Sequence, residues 1–176
     1  MFLILIGYLI IALDVLVGIG GMVWELPPDF LGYLLIAIGA GKLAAENTPF
    51  AKTKSFGFVA AGVSGFLFLL RLLSLAYAAT SILITMEVAE LILMIIVVRL
   101  IIAGLRELEN KTGLSLQSNI LKYIWIALIV ALVAAYLGQI ATTVSGITSL
   151  ILDLVSLGFF VFLFFAYQTY REFEEQ

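Results

Sequence analysis

The chain contains no cysteine and no histidine. That absence excludes disulfides, thiolate nucleophiles, haem ligation by either residue, zinc sites built from thiolate or imidazole, and imidazole acid–base chemistry. Charge is also scarce: only 12% of the 176 residues are Asp, Glu, Lys or Arg, against about a quarter in a soluble domain. The nine basic residues form no tract or face that could follow a phosphate backbone, which argues against nucleic acid as a partner. Nothing in the remaining composition calls for a cofactor.

What is present is hydrophobic. Apolar residues make up 64% of the chain and the mean hydropathy is +1.21, the composition of an integral membrane protein whose first partner is the lipid bilayer. At about 20 residues per span the length allows at most six spans, in a single transmembrane domain over residues 1–176 with no soluble catalytic module. The expected fold is therefore all-α, a six-transmembrane-helix bundle. The first residues, MFLILIGYLIIALD, lack a positive n-region and a small-residue cleavage site, and are read as a retained first span.

Span 1 is expected over about Phe2–Val23, with Gly7, Asp14, Gly18 and Gly21 on one helix face. The Gly18–Gly21 run equally allows an unwound end, because glycine weakens a helix by about 1 kcal/mol relative to alanine. Trp24 suits a membrane interface, Pro27 and Pro28 stop span 1, and Pro28-Asp29 opens span 2, which continues to about Ala45 with Gly32, Gly39 and Gly41 marking close packing. A polar loop, Lys42–Lys54, follows. Span 3 (Phe56–Ala79) carries a stripe of Ser64, Arg71, Ser74 and Ala78. Span 4 (Ser81 to about Gly104) places Glu87, Glu90 and Met94 on one face, and its helix continues to a C-cap at Gly113. Span 5 (about Asn119–Gln139) is capped by Ser118 or Asn119, with Ala127, Ala131 and Ala134 read as packing residues; span 6 runs to about Tyr170 with Gly146, Ser149, Asp153 and Ser156 on one face.

Basic residues alternate between connections. Lys42, Lys52, Lys54, Arg106, Lys111, Lys122 and Arg171 fall in the second loop, the fourth loop or the tail, and none falls in the first, third or fifth loop. The positive-inside rule then puts both termini in the cytoplasm. With a turn around residues 78–81, Arg71 lies about 10 Å below it, and Glu87 and Glu90 about 9 and 14 Å below it. Asp14 and Asp153 fall at similar depth in the outer half. Intramembrane charges are costly and normally face a bundle interior, so Asp14, Arg71, Glu87, Glu90 and Asp153 are the candidate ligand- or ion-binding residues, with Asp29, Ser149 and Gln139 as accessories. One arginine among four acids leaves carboxylates to be protonated, hydrated or neutralised by a bound cation. No metal is specified by this set.

Two functions fit. One is binding or transport of a small cation, a proton or a proton-coupled solute through that cluster. The other is a non-catalytic membrane binding module, or a partner subunit of a larger complex; six spans with inside termini are similar in size and layout, though not in motif, to the substrate-binding subunits of vitamin uptake systems. The glycine faces also permit a homodimer. An enzyme is not expected: Asp14 and Asp153 are a possible aspartate pair, but the Gly-x-Gly-Asp motif of intramembrane aspartyl proteases is missing, and other membrane proteases need histidines.

The segment Pro28-Asp29-Phe30-Leu31-Gly32-Tyr33, followed by LLIAIGAGKL, resembles the PDF-x-GY segment found after the first span in small, uncharacterised multi-pass membrane proteins of Gram-positive bacteria. The likeness covers about 25 residues and departs from the pattern in the extra Pro27. It implies a bacterial plasma-membrane protein with a span-1/span-2 hairpin, and it implies no activity.

Overall fold

The structure is a computed structural model and describes residues 1–13, 16–19, 22–25, 27–45, 47–73, 80–140 and 145–175. Over these residues the chain forms α1 (Phe2–Ala12), β1 (Leu16–Ile19), β2 (Met22–Glu25), α2 (Asp29–Leu43), α3 (Thr48–Leu72), α4 (Thr80–Thr112), α5 (Ser118–Ile140) and α6 (Ser145–Glu174). They belong to two compact units, Met1–Ile101 and Ile102–Gln176, with the boundary inside α4.

Among the described residues, three stretches are long and apolar enough to cross a membrane: Thr48–Leu72, Ile82–Thr112 and Leu150–Glu174. The fold is thus that of a helical membrane protein. α1 is apolar but, at 11 residues, only about 16 Å long, and α2 with 15 residues reaches about 22 Å, against about 30 Å of hydrocarbon. The expected first span to Val23 ends instead at Ala12, and a hairpin follows. β1 pairs antiparallel with β2 in the register Leu16↔Glu25 to Ile19↔Met22. The local sequence accounts for this: Val17, Ile19 and Val23 are β-branched, and Gly18 weakens a helix.

In the first unit α1 packs on α2 and α2 on α3. Ile4, Leu5 and Tyr8 of α1, Tyr33, Ile36, Ala37 and Ala40 of α2, and Phe50, Ala60, Ala61 and Leu67 of α3 are buried. Gly7 and Gly32 let the α1 and α2 backbones meet. A Cβ on Gly32 would lie 2.6 Å from the Gly7 carbonyl oxygen, and one on Gly39 would lie 2.9 Å from the Ile4 amide nitrogen. The resembling segment acquires a structural reading here. Pro28 caps α2 at φ −65°, ψ 138°, Asp29 opens the helix, and the Phe30 ring tilts against Phe68 of α3 with centroids 5.7 Å apart. Gly32 meets α1, and Tyr33 is buried.

The polar stretch Lys42–Lys54 is mostly helix rather than loop, because α3 starts at Thr48. Asn47 accepts a hydrogen bond from the Phe50 amide at 3.1 Å, and Pro49 stands in the first turn, where its missing N–H costs nothing. Asn47 is buried, so Asn47→Ala is expected to cost about 1 kcal/mol, seen as a lower unfolding midpoint in detergent; an unchanged midpoint would show that the cap is dispensable.

α4 ends as expected at Gly113, whose φ of +73° is a left-handed conformation suited to glycine and whose amide donates to Glu109 O at 2.9 Å. In the second unit α5 packs on α6. Leu121, Leu128 and Ala131 of α5 and Phe159, Leu163 and Ala166 of α6 are buried. Of the three alanines expected to pack, Ala127 and Ala134 are exposed and only Ala131 is buried. Ser118 opens α5, but its cap comes from elsewhere: its amide donates to Glu109 Oε1 at 3.2 Å, and its hydroxyl donates to Glu109 Oε2.

Candidate functional site

Arg71 and Glu87 each stand in line with buried positions of their own helix. On α3 the buried positions Phe50, Thr53, Gly57, Ala60, Ser64 and Leu67 advance by three and four residues, and four more residues reach Arg71. On α4 the buried positions Val97, Ile101 and Leu105, traced back through Met94 at the same spacing, reach Glu90 and Glu87. Arg71 Nη2 lies 3.1 Å from Glu87 Oε1, forming an ion pair that joins α3 to α4. The two side chains are 40% and 43% exposed, so the pair sits at the margin of the first unit rather than inside its core.

Glu90 follows Glu87 by one helical turn and is half-buried, with Oε1 wholly enclosed. Chemically, the site brings a guanidinium onto one of two carboxylates that stand one helical turn apart. Such an arrangement can take up a proton or attract a small cation.

The other candidates are placed differently. Asp29 is the first residue of α2; its Oδ1 is buried, and its carboxylate lies by the positive end of the helix dipole. Asp153 lies on α6 in the second unit and is exposed. Ser149 and Gln139 lie on α6 and α5, with side chains outside the described residues, and Asp14 lies outside them altogether. Among the described residues no three acidic side chains gather as a metal-holding set, so the structure joins Arg71 to Glu87 but does not show all the expected acids at one point.

Two cross-helix contacts were not visible in the sequence, Phe30–Phe68 and Glu109–Ser118. Capping motifs are local, and an acid nine residues ahead of a helix start gives no such signal.

Compared with protein-family models, curated proteins and solved structures, the chain matches none.

Proposed function

We propose that this is a multi-pass protein of the bacterial plasma membrane that binds or transports a small cation or a proton-coupled solute at Arg71, Glu87 and Glu90. In this reading all six helices belong to the embedded body. α3 to α6 cross the bilayer, and α1–α2 form a shorter hairpin entering from the cytoplasmic side, which keeps both termini cytoplasmic in line with the basic residues. The pair then lies in the outer half of the membrane, and no catalysis is assigned to it.

The observation that carries the reading is the Arg71–Glu87 ion pair between two helices long and apolar enough to cross a membrane, with a second glutamate one turn further along. A pair alone would serve as helix glue. Glu90 adds a second carboxylate on the same helix face, and intramembrane carboxylates recur where protons and cations are handled.

The full-length protein in liposomes tests this. Uptake or binding that depends on pH or on Na⁺ or K⁺ is expected to fall at least tenfold in Glu87→Gln and in Glu90→Gln, with the helical content unchanged. No dependence on pH or cation, with variants that alter stability alone, would sink the proposal.

A further inference from the structure

The β1–β2 hairpin joins α1 to α2, and contacts within the first unit fix the level at which it starts. A Cβ on Gly32 would lie 2.6 Å from Ile11 Cγ1 and 3.2 Å from Ile10 Cγ2, so α1 ends beside the first turns of α2. Phe30, the second residue of α2, packs on Phe68 of α3 with ring centroids 5.7 Å apart. Phe68 stands about 21 Å along α3 from Lys54, the last charged residue before Arg71. Measured from Lys54 across about 30 Å of hydrocarbon, the root of the hairpin is about 10 Å short of the outer boundary. Its four-residue strands reach about 13 Å, enough to complete the crossing that α1 and α2 leave unfinished. Arg71 shares this level, about 5 Å beyond Phe68.

An open sheet edge is not tolerated against lipid. Among the described residues the sheet has these two strands alone, so the N–H and C=O groups on their outer edges meet no third strand. Helices packed alongside would not satisfy them, because helical backbone is already bonded to itself. The Arg71–Glu87 pair, with side chains 40% and 43% exposed, makes the same demand for a polar medium at the same level. Residues 13–33 add Asp14, Glu25 and Asp29, and no lysine or arginine. We infer that the hairpin lines a water-filled vestibule, open to the outside, through which a hydrated cation reaches Arg71, Glu87 and Glu90. This rests on the solute-site reading and adds to it the route and the class of guest, which is water-borne and positive rather than lipid-soluble.

The chain has no cysteine, so single cysteines report without further changes. Leu16→Cys, Val17→Cys, Gly18→Cys and Ile19→Cys are made in the full-length protein, with Val59→Cys, exposed on α3, as the control against lipid. In spheroplasts, β1 cysteines are expected to react with a membrane-impermeant thiol reagent about tenfold faster than Val59→Cys. A cationic reagent should outpace an anionic one about threefold, after correction for their rates with free thiol. Bimane attached to the reactive positions in liposomes should be quenched more by lipids with a nitroxide on the acyl chain than by lipids with one on the headgroup. That pattern places hydrated backbone inside the bilayer.

Strand cysteines no more reactive than Val59→Cys overturn the inference. So does a preference for the anionic reagent, or stronger quenching from the headgroup, which would put the hairpin in the outer water. Where the cysteine variants fail to fold, hydrogen exchange on the unaltered chain in nanodiscs decides: strand amides should exchange faster than those of α3, and equal protection overturns the inference. Reactive strands without pH- or cation-dependent uptake would keep the hydrated hairpin and remove the solute site. Unreactive strands with such uptake would do the reverse.

Discussion

Gly32→Val is expected to cost about 3 kcal/mol or more, or to prevent the folded protein from accumulating. The first added atom alone would lie 2.6 Å from both the Gly7 carbonyl oxygen and Ile11 Cγ1, and 3.2 Å from Ile10 Cγ2. Backbone cannot yield as a flexible side chain can, so α1 and α2 would have to separate, giving up the packing of Ile4, Leu5 and Tyr8. Gly62→Val is the control, since a Cβ there meets nothing within 4 Å and only helix propensity changes. Unfolding midpoints and size-exclusion profiles in detergent compare the two. Equal losses would mean that the glycine contact does not hold α1 to α2.

Arg71→Leu is expected to destabilise by about 2 kcal/mol, because it leaves the Glu87 carboxylate without its guanidinium on an apolar helix. Changing Arg71 and Glu87 together to leucine should recover most of that loss, since two apolar side chains leave no charge to compensate. The comparison is a double-mutant cycle read by unfolding in detergent or bicelles. Strict additivity of the single losses would show that the pair, although 3.1 Å apart, contributes no coupling. The cycle also separates structure from function, because a double variant that is stable but takes up no solute would locate the activity in the charges themselves.

How much could be read from the chain varies by element. α4 and its Gly113 cap were legible, because a long apolar run followed by a helix-ending glycine is a local signal. The shared face of Glu87 and Glu90 was legible from spacing alone. The early start of α3 was missed because three lysines made residues 42–54 look like a loop, although Asn47 and Pro49 are ordinary helix-opening residues. The hairpin after Ala12 was hidden for another reason. A run such as LVGI is apolar in either geometry, and hydropathy does not separate strand from helix over four residues. The alanines of α5 failed as packing markers because a small residue fits either against a neighbouring helix or on an open surface.

Composition and order alone determined that this is a helical chain built for lipid, free of thiol and imidazole chemistry, with a few acids and two arginines, Arg71 and Arg99, set among apolar runs. Those properties add up residue by residue, so a linear string suffices to carry them. Which acid meets Arg71, that Gly32 rather than Gly62 bears a neighbouring backbone, and that Asp153 is exposed were decided only in three dimensions. Each depends on how one helix is rotated against another. That rotation is set by the packing of many side chains at once, and no single stretch of sequence encodes it.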